Sequence, residues 1–335
     1  MPHHVTPFVE AVDHRMSTWA VELTGRSEAI DRVRQLLADA ASSGAGVLLV
    51  SEPGADTEAI ARDLHRRSCR ASAPFVTVDC RHDRIDELLF GICRTRTSGD
   101  LEEIRRDSRL AGARDGTLFL DGIEELPASV QARLTRVVRD GEVSVDGAPT
   151  DISCRLVASA ATTIDADAEG RRFRADLYRR LSIHRIDLPP LRDRSEDVGD
   201  LAICILDRLR ETRGIAARGF TQAALALLAA LPWPGNFVEL HAVVERVAAE
   251  ASGSFVQVEH VLPAIQLNRA PKPFVPTGNL REARLQFERQ YITAVLQHHG
   301  WRLTEAARTL GIQRPNLYRK ARQLGLTLTA RKITA

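Results

Sequence analysis

Little in this chain is sulfur or aromatic: 335 residues hold 5 Cys, 2 Met, 3 Trp, 3 Tyr and 10 Phe. Cys69, Cys80, Cys93, Cys154 and Cys204 form no paired or C-x-x-C spacing, so neither a disulfide framework nor a cysteine zinc site is indicated and buried or idle thiols are expected. No apolar run approaches the ~18 residues of a membrane helix. The opening Met1-Pro2-His3-His4-Val5 lacks the basic start and apolar core of a signal peptide, so the expected location is the cytoplasm. Net charge is also small, +2, and this total conceals an asymmetry. Residues 280–335 carry eleven basic side chains against Glu282, Glu288 and Glu305, a net +8 that leaves −6 for the remainder. A basic end on a mildly acidic chain is the footprint of a nucleic-acid-binding module.

At 44% apolar and 27% charged residues, the chain has the composition of a globular protein of about two or more domains. Residues 1–22 show no sustained periodicity and read as a tail with no folded sensory unit. From residue 23 to about 195, amphipathic stretches alternate with β-rich runs at Val47–Val50, Phe75–Val78, Thr117–Leu120, Arg155–Ala158 and Ile183–Ile186, the pattern of a parallel sheet covered by helices. Residues 196–266 read as purely helical, residues 267–279 with Pro271, Pro273 and Pro276 as a semi-rigid linker, and residues 280–335 as a basic helical unit.

Within that last unit, Leu303 to Lys320 holds two short helical patterns joined at Gly311, with small Ala306 and Ala307 permitting close approach and Pro315 suited to a first helical turn. This is helix-turn-helix spacing. Leu317 and Leu324 face inward, while Arg314, Asn316, Arg319 and Lys320 remain outside, where a major groove presents acceptors; with Thr304 and Tyr318 they form the expected DNA-binding set. The stretch resembles the factor-for-inversion-stimulation (Fis) type, and Phe287–Ile292 resembles its leading helix, which implies an at least dimeric assembly on a two-fold site in double-stranded DNA.

In the central unit, Gly116–Asp121 is an apolar strand ending in a carboxylate, able to hold magnesium on a bound nucleotide or merely to cap a turn. Phe173–Leu181, Leu188–Arg194, Trp233-Pro234-Gly235-Asn236 and the opening Leu23–Ser27 resemble the central domain of bacterial enhancer-binding proteins, the AAA+ activators that remodel RNA polymerase carrying sigma-54. The resemblance implies an α/β class, an AAA+ parallel-sheet αβα domain (23–195) with a helical lid (196–266), followed by the all-α Fis-type domain.

Against that family, several functional positions are changed. Where it carries G-x-x-G-x-G-K, this chain reads Ser51-Glu52-Pro53-Gly54-Ala55-Asp56-Thr57. Thr57 stands at the position of the Lys that meets the β- and γ-phosphates, and Asp56 adds a carboxylate beside them. Gly122 replaces the water-activating Glu next to Asp121, with Glu124 and Glu125 displaced along the loop. Ala160-Ala161 and Val238 replace a phosphate-sensing polar residue and an arginine, and Thr95–Asp100 replaces the G-A-F-T-G-A loop that grips sigma-54. Gly54, Asp121 and the arginine-finger positions Arg174 and Arg180 remain, as a vestigial nucleotide site.

The resulting expectation is a DNA-binding regulator with an inactive ATPase domain, no catalytic residues, no metal and no required cofactor. It would act through DNA and through homo-oligomers or hetero-oligomers with related regulators, with RNA polymerase holoenzyme as a possible partner. Two alternatives remain open: an ATP-dependent sigma-54 activator using ATP and magnesium, and a regulator whose altered pocket senses a ligand such as a cyclic dinucleotide through Arg62, Arg66 and Arg67.

Overall fold

The computed structural model describes residues 20–92, 97–98, 101–170, 172–251, 253–269, 292, 296, 303–309 and 313–323. It divides into two compact units, Met1–Arg269 and Ala270–Ala335.

The first half of the large unit runs α1 (Glu28–Ser42), β1 (Val47–Ser51), α2 (Thr57–Arg66), β2 (Phe75–Asp79), α3 (Ile85–Phe90), β3 (Thr97–Ser98), β4 (Leu101–Ile104), α4 (Arg109–Gly112) and β5 (Thr117–Asp121). It continues with α5 (Ala128–Asp140), β6 (Glu142–Val145), β7 (Ala148–Asp151), β8 (Arg155–Ala161), α6 (Ile164–Glu169), α7 (Ala175–Leu181) and β9 (His184–Asp187). The main sheet has the order β2-β5-β8-β1-β9, all parallel. Each expected strand is present.

Strand alternation builds the layers. Leu48 and Val50 of β1, Leu118 and Leu120 of β5, and Leu156 and Ala158 of β8 face a core shared with α3, α5 and α7. Val47 and Leu49, Phe119 and Val157 face the opposite core, against Ile30, Val33 and Leu37 of α1 and Ile60 and Leu64 of α2. The sheet is therefore buried on both faces, as near-continuous apolar strands require. Its carboxyl edge, where loops after β1, β5 and β8 converge, is where parallel sheets place ligands.

Next come α8 (Val198–Arg213), β10 (Gly219–Phe220), α9 (Gln222–Ala229), α10 (Asn236–Glu250), β11 (Phe255–Val256) and α11 (Val258–Arg269). The stretch read as purely helical thus contains a short parallel pair, β10 with β11; two-residue strands are too short to impose an alternation on the sequence. Leu201, Ile205, Leu228, Leu240 and Val244 form the core, and the Trp233 indole donates to the Leu228 carbonyl at 2.8 Å, fixing the turn into α10. α11 runs to Arg269, three residues into the stretch read as linker. Ala20, Val21 and Glu22, at the end of the stretch read as tail, are buried, and Val21 packs into the helical core.

In the small unit, α12 (Leu303–Thr309) and α13 (Arg314–Gln323) form a helix pair with Ala307, Leu317 and Ala321 buried. Gly311 and Leu324 lie outside the described residues.

Candidate functional site

Glu52 to Thr57 links β1 to α2. Gly54 has φ +91°, and a Cβ there would lie 2.1 Å from the Gly235 carbonyl oxygen. Its missing side chain thus admits the turn before α10. That turn grips the loop: Asn236 Nδ2 donates to the Pro53 carbonyl at 2.9 Å, and the Val238 N–H donates to the Gly54 carbonyl at 2.9 Å. Asn236 Oδ1 accepts from the Leu191 N–H at 3.0 Å, and Arg192 forms a fork with Glu52, both bonds 2.6 Å, holding the Glu52 carboxyl below its ordinary range. Val238, at the position where the family's arginine is expected, is exposed.

Asp56 is the N-cap of α2, its Oδ1 accepting from the Ala59 N–H at 3.2 Å. The Asp56 N–H, one of the groups that cradle phosphate in a working loop, donates to the carboxyl of Glu22. Glu22 is 3% exposed and its remaining oxygen faces Arg194, which also donates to the Glu22 carbonyl at 2.6 Å. Burial raises the Glu22 pKa to about 7, with Arg194 and the Asp56 N–H pulling the other way; burial lowers that of Arg194.

At the end of β5, Asp121 Oδ1 accepts from Ser159 Oγ at 2.6 Å, and its other oxygen pairs with Arg81, whose Nε also meets Asp79 at 2.8 Å. Asp79 and Asp121 are register partners on adjacent strands, which places both carboxylates within reach of one guanidinium; the Arg81 hydrogen bond holds the Asp79 pKa below its ordinary value. Thr57 Oγ1 lies 3.5 Å from Asp121. Gly122 takes the left-handed conformation (φ +69°), its N–H donating to Ser159 Oγ at 2.8 Å. Glu124 is turned aside, accepting from the Ala161 N–H at 2.9 Å, and its Oε2 is buried without a hydrogen-bond partner.

The arginines are paired within the chain. Arg174 meets Asp176 at 2.7 Å, and Arg180 donates to the Val138 carbonyl at 3.4 Å. Arg62 pairs with Glu58 and lies 4.7 Å over the Phe75 ring, while Arg66 and Arg67 both pair with buried Asp63. Of the altered sigma-54 loop Thr95–Asp100, residues 95–96 and 99–100 lie outside the described residues. Below that loop, buried Arg133 ties α5 to Glu102 of β4 at 3.0 Å and Asp86 of α3 at 2.9 Å.

On α13, Arg314, Asn316, Tyr318 and Arg319 are exposed and Lys320 is half-buried, opposite buried Leu317 and Ala321; Thr304 is exposed on α12. Sequence reasoning missed Glu22, Arg81, Ser159 and the Glu52–Arg192 fork, none of which carries a local pattern. Among the described residues, no His, Cys, Asp or Glu group suits a metal, and no helix is long and apolar enough to cross a membrane.

A parallel-sheet P-loop body, a helical lid and a separate helix-turn-helix unit define an AAA+ regulator with a DNA-binding end. Residues 23–187 match the sigma-54 interaction domain, 192–274 the AAA+ ATPase lid domain, and 284–324 the Fis family of bacterial regulatory proteins. The transcriptional regulatory protein ZraR of Escherichia coli K12 is 36% identical over 305 residues, covering 89% of this chain and 68% of ZraR. The alginate biosynthesis transcriptional regulatory protein AlgB of Pseudomonas aeruginosa is 33% identical over 327 residues, 96% of this chain and 72% of AlgB. The crystal structure of NtrX from Brucella abortus in complex with ADP covers 91% of this chain and 69% of that one, with TM-score 0.62 and 29% identity. The chain belongs to the sigma-54-dependent, enhancer-binding family of bacterial transcriptional regulators.

Proposed function

We propose that this family member regulates transcription through DNA binding and protein contacts, without ATP turnover by its AAA+ body. The observation that carries this reading is the loop before α2: Thr57 stands at the lysine position, and the Asp56 carboxylate caps the helix start where a phosphate anion would rest. ATP with magnesium is the cofactor implied by the family, and the groups present do not fit it. The loop lacks its cation and contains an anion, Asp121 is engaged by Arg81, and the position beside it is Gly122. Arg174 then serves in its ion pair with Asp176, and Arg180 as a donor to the Val138 carbonyl. The partners are double-stranded DNA, a second copy of the chain or a related regulator, and RNA polymerase.

The exposed face of α13 supplies the DNA contacts. Arg and Lys give salt-dependent affinity for phosphates, and Arg314, Asn316, Arg319 and Lys320 read bases. Asp121, and the NtrX structures in complex with ADP and with ATP, favour the competing reading of an ATP-driven activator. The separating experiment measures oligomeric state and DNA affinity of the full chain with and without MgATP. The proposed function predicts no change in either; nucleotide-driven assembly supports the motor.

A further inference from the structure

Both charged ends of the altered nucleotide site are met by the chain's own side chains. In a working site an anion rests on the loop N–H groups and a divalent cation sits by the carboxylate at the end of the neighbouring strand. Here a carboxyl oxygen of Glu22 receives the Asp56 N–H, and the Arg81 guanidinium lies on Asp121. Glu22 supplies an acceptor oxygen where a phosphate would, and Arg81 a cation where the metal would. We propose that the chain ligates its own nucleotide site, Glu22 in place of the phosphate and Arg81 in place of the metal, and thereby holds body and lid together without nucleotide. This rests on the reading of the body as non-hydrolysing.

Glu22 is positioned for such a role. It belongs to a single 3-10 turn, Val21–Leu23, whose Val21 packs in the lid core, while its carboxyl group spans the loop and Arg194, at the entrance to α8. At 3% exposure it has no room to swing aside without breaking the Arg194 pair. Around it the lid already grips the loop through Asn236 to Pro53, Val238 to Gly54 and Arg192 to Glu52. Here the bridge consists of protein atoms, and a triphosphate entering the loop must expel Glu22 and face the Asp56 carboxylate.

The test is hydrogen exchange by mass spectrometry on the full chain, following peptides 52–60 and 234–242, with a peptide from α5 as the internal reference. The wild type is expected to protect both without nucleotide and to gain nothing from 5 mM MgATP. Glu22→Ala is expected to speed exchange in both at least about tenfold, the equivalent of about 1.4 kcal/mol, with α5 unchanged. Glu22→Gln, which keeps an oxygen for the Asp56 N–H, is expected to stay near wild type. If α5 also opens in the Ala variant, Glu22→Asp, which keeps the charge facing Arg194 but draws back from the loop, takes its place with the same expected rise in peptide 52–60. Arg81→Ala is expected to speed exchange at residues 119–124 and leave 52–60 protected. Unchanged exchange in Glu22→Ala, or in Glu22→Asp where that variant takes its place, overturns self-ligation and leaves the non-hydrolysing reading intact. New protection of the wild type by MgATP overturns self-ligation, and phosphate release above blank from the same protein overturns the non-hydrolysing reading as well.

Discussion

The Asp56 N–H donates to the Glu22 carboxyl across 34 residues of sequence, joining the turn ahead of α1 to the loop ahead of α2. The acceptor is a buried acid facing a buried arginine, so its charge state is coupled to folding.

Glu22 therefore predicts a pH dependence of stability. Its ordinary pKa of 4.5 is raised to about 7 in the folded chain. Below pH 4.5 folded and unfolded chains both carry the proton, and the group imposes no penalty. Between there and about 7 the unfolded chain releases its proton while the folded chain keeps it, so stability falls as pH rises, by up to about 1.4 kcal/mol per pH unit. Above that range the penalty is constant. The groups facing Glu22 are Arg194 and Asp56, with Asp197 beside Arg194. Urea midpoints between pH 5 and 8 should fall for wild type relative to Glu22→Gln; parallel curves would sink the assignment.

Asp197 fastens the start of the body to the lid. It is fully buried and accepts from the Arg26 N–H at 2.8 Å, the Ser27 N–H at 2.8 Å and Ser27 Oγ at 2.5 Å. Asp197→Ala leaves these donors unpaired and is expected to cost about 3 kcal/mol or more. Gly25→Ala should be similarly damaging, because a Cβ there falls 2.2 Å from Asp197 Cγ at a φ of +145°. Thermal unfolding of each variant checks both.

Restoring the loop alone should not restore a motor. Asp56→Gly with Thr57→Lys removes the carboxylate and supplies the cation, at a capping cost of only a few tenths of a kcal/mol. Arg81 still engages Asp121, and Gly122 still supplies no carboxylate to activate water. Steady-state phosphate release from this double variant is expected to stay at the blank rate, and multiple turnovers would contradict the expectation.

On the DNA side, Arg319→Ala is expected to weaken specific binding by about 1–3 kcal/mol if its guanidinium reads a base, with little change in non-specific affinity. Leu317→Ala, by contrast, empties a fully buried position and should lower the stability of the helix pair by about 2–5 kcal/mol. Binding titrations on operator and random duplexes at two salt concentrations separate the effects.

The fold was legible because its signals are periodic and local. Val47–Val50, Thr117–Leu120 and Arg155–Ala158 are β-rich runs set among amphipathic helices, and each became a strand of the parallel sheet. The losses at Asp56, Thr57 and Gly122 were legible for the same reason, as replacements within short contiguous motifs. Glu22 and Arg81 were not. Glu22 lies in a stretch without periodicity and meets its partners only after residues 22, 56 and 194 are brought together. Arg81 reaches Asp121 because strand register sets Asp79 beside it, and pairing order is not written in either strand alone. Gly54 shows the same limit: its sequence context points to a phosphate, while its open face receives the Gly235 carbonyl of the lid.

The most direct measurement is equilibrium MgATP binding and turnover on the full-length protein, beside an intact enhancer-binding relative. A site ligated by Glu22 and Arg81 predicts no saturable binding at millimolar nucleotide and no phosphate release above blank. Saturable binding with turnover abolished by Asp121→Ala would contradict it.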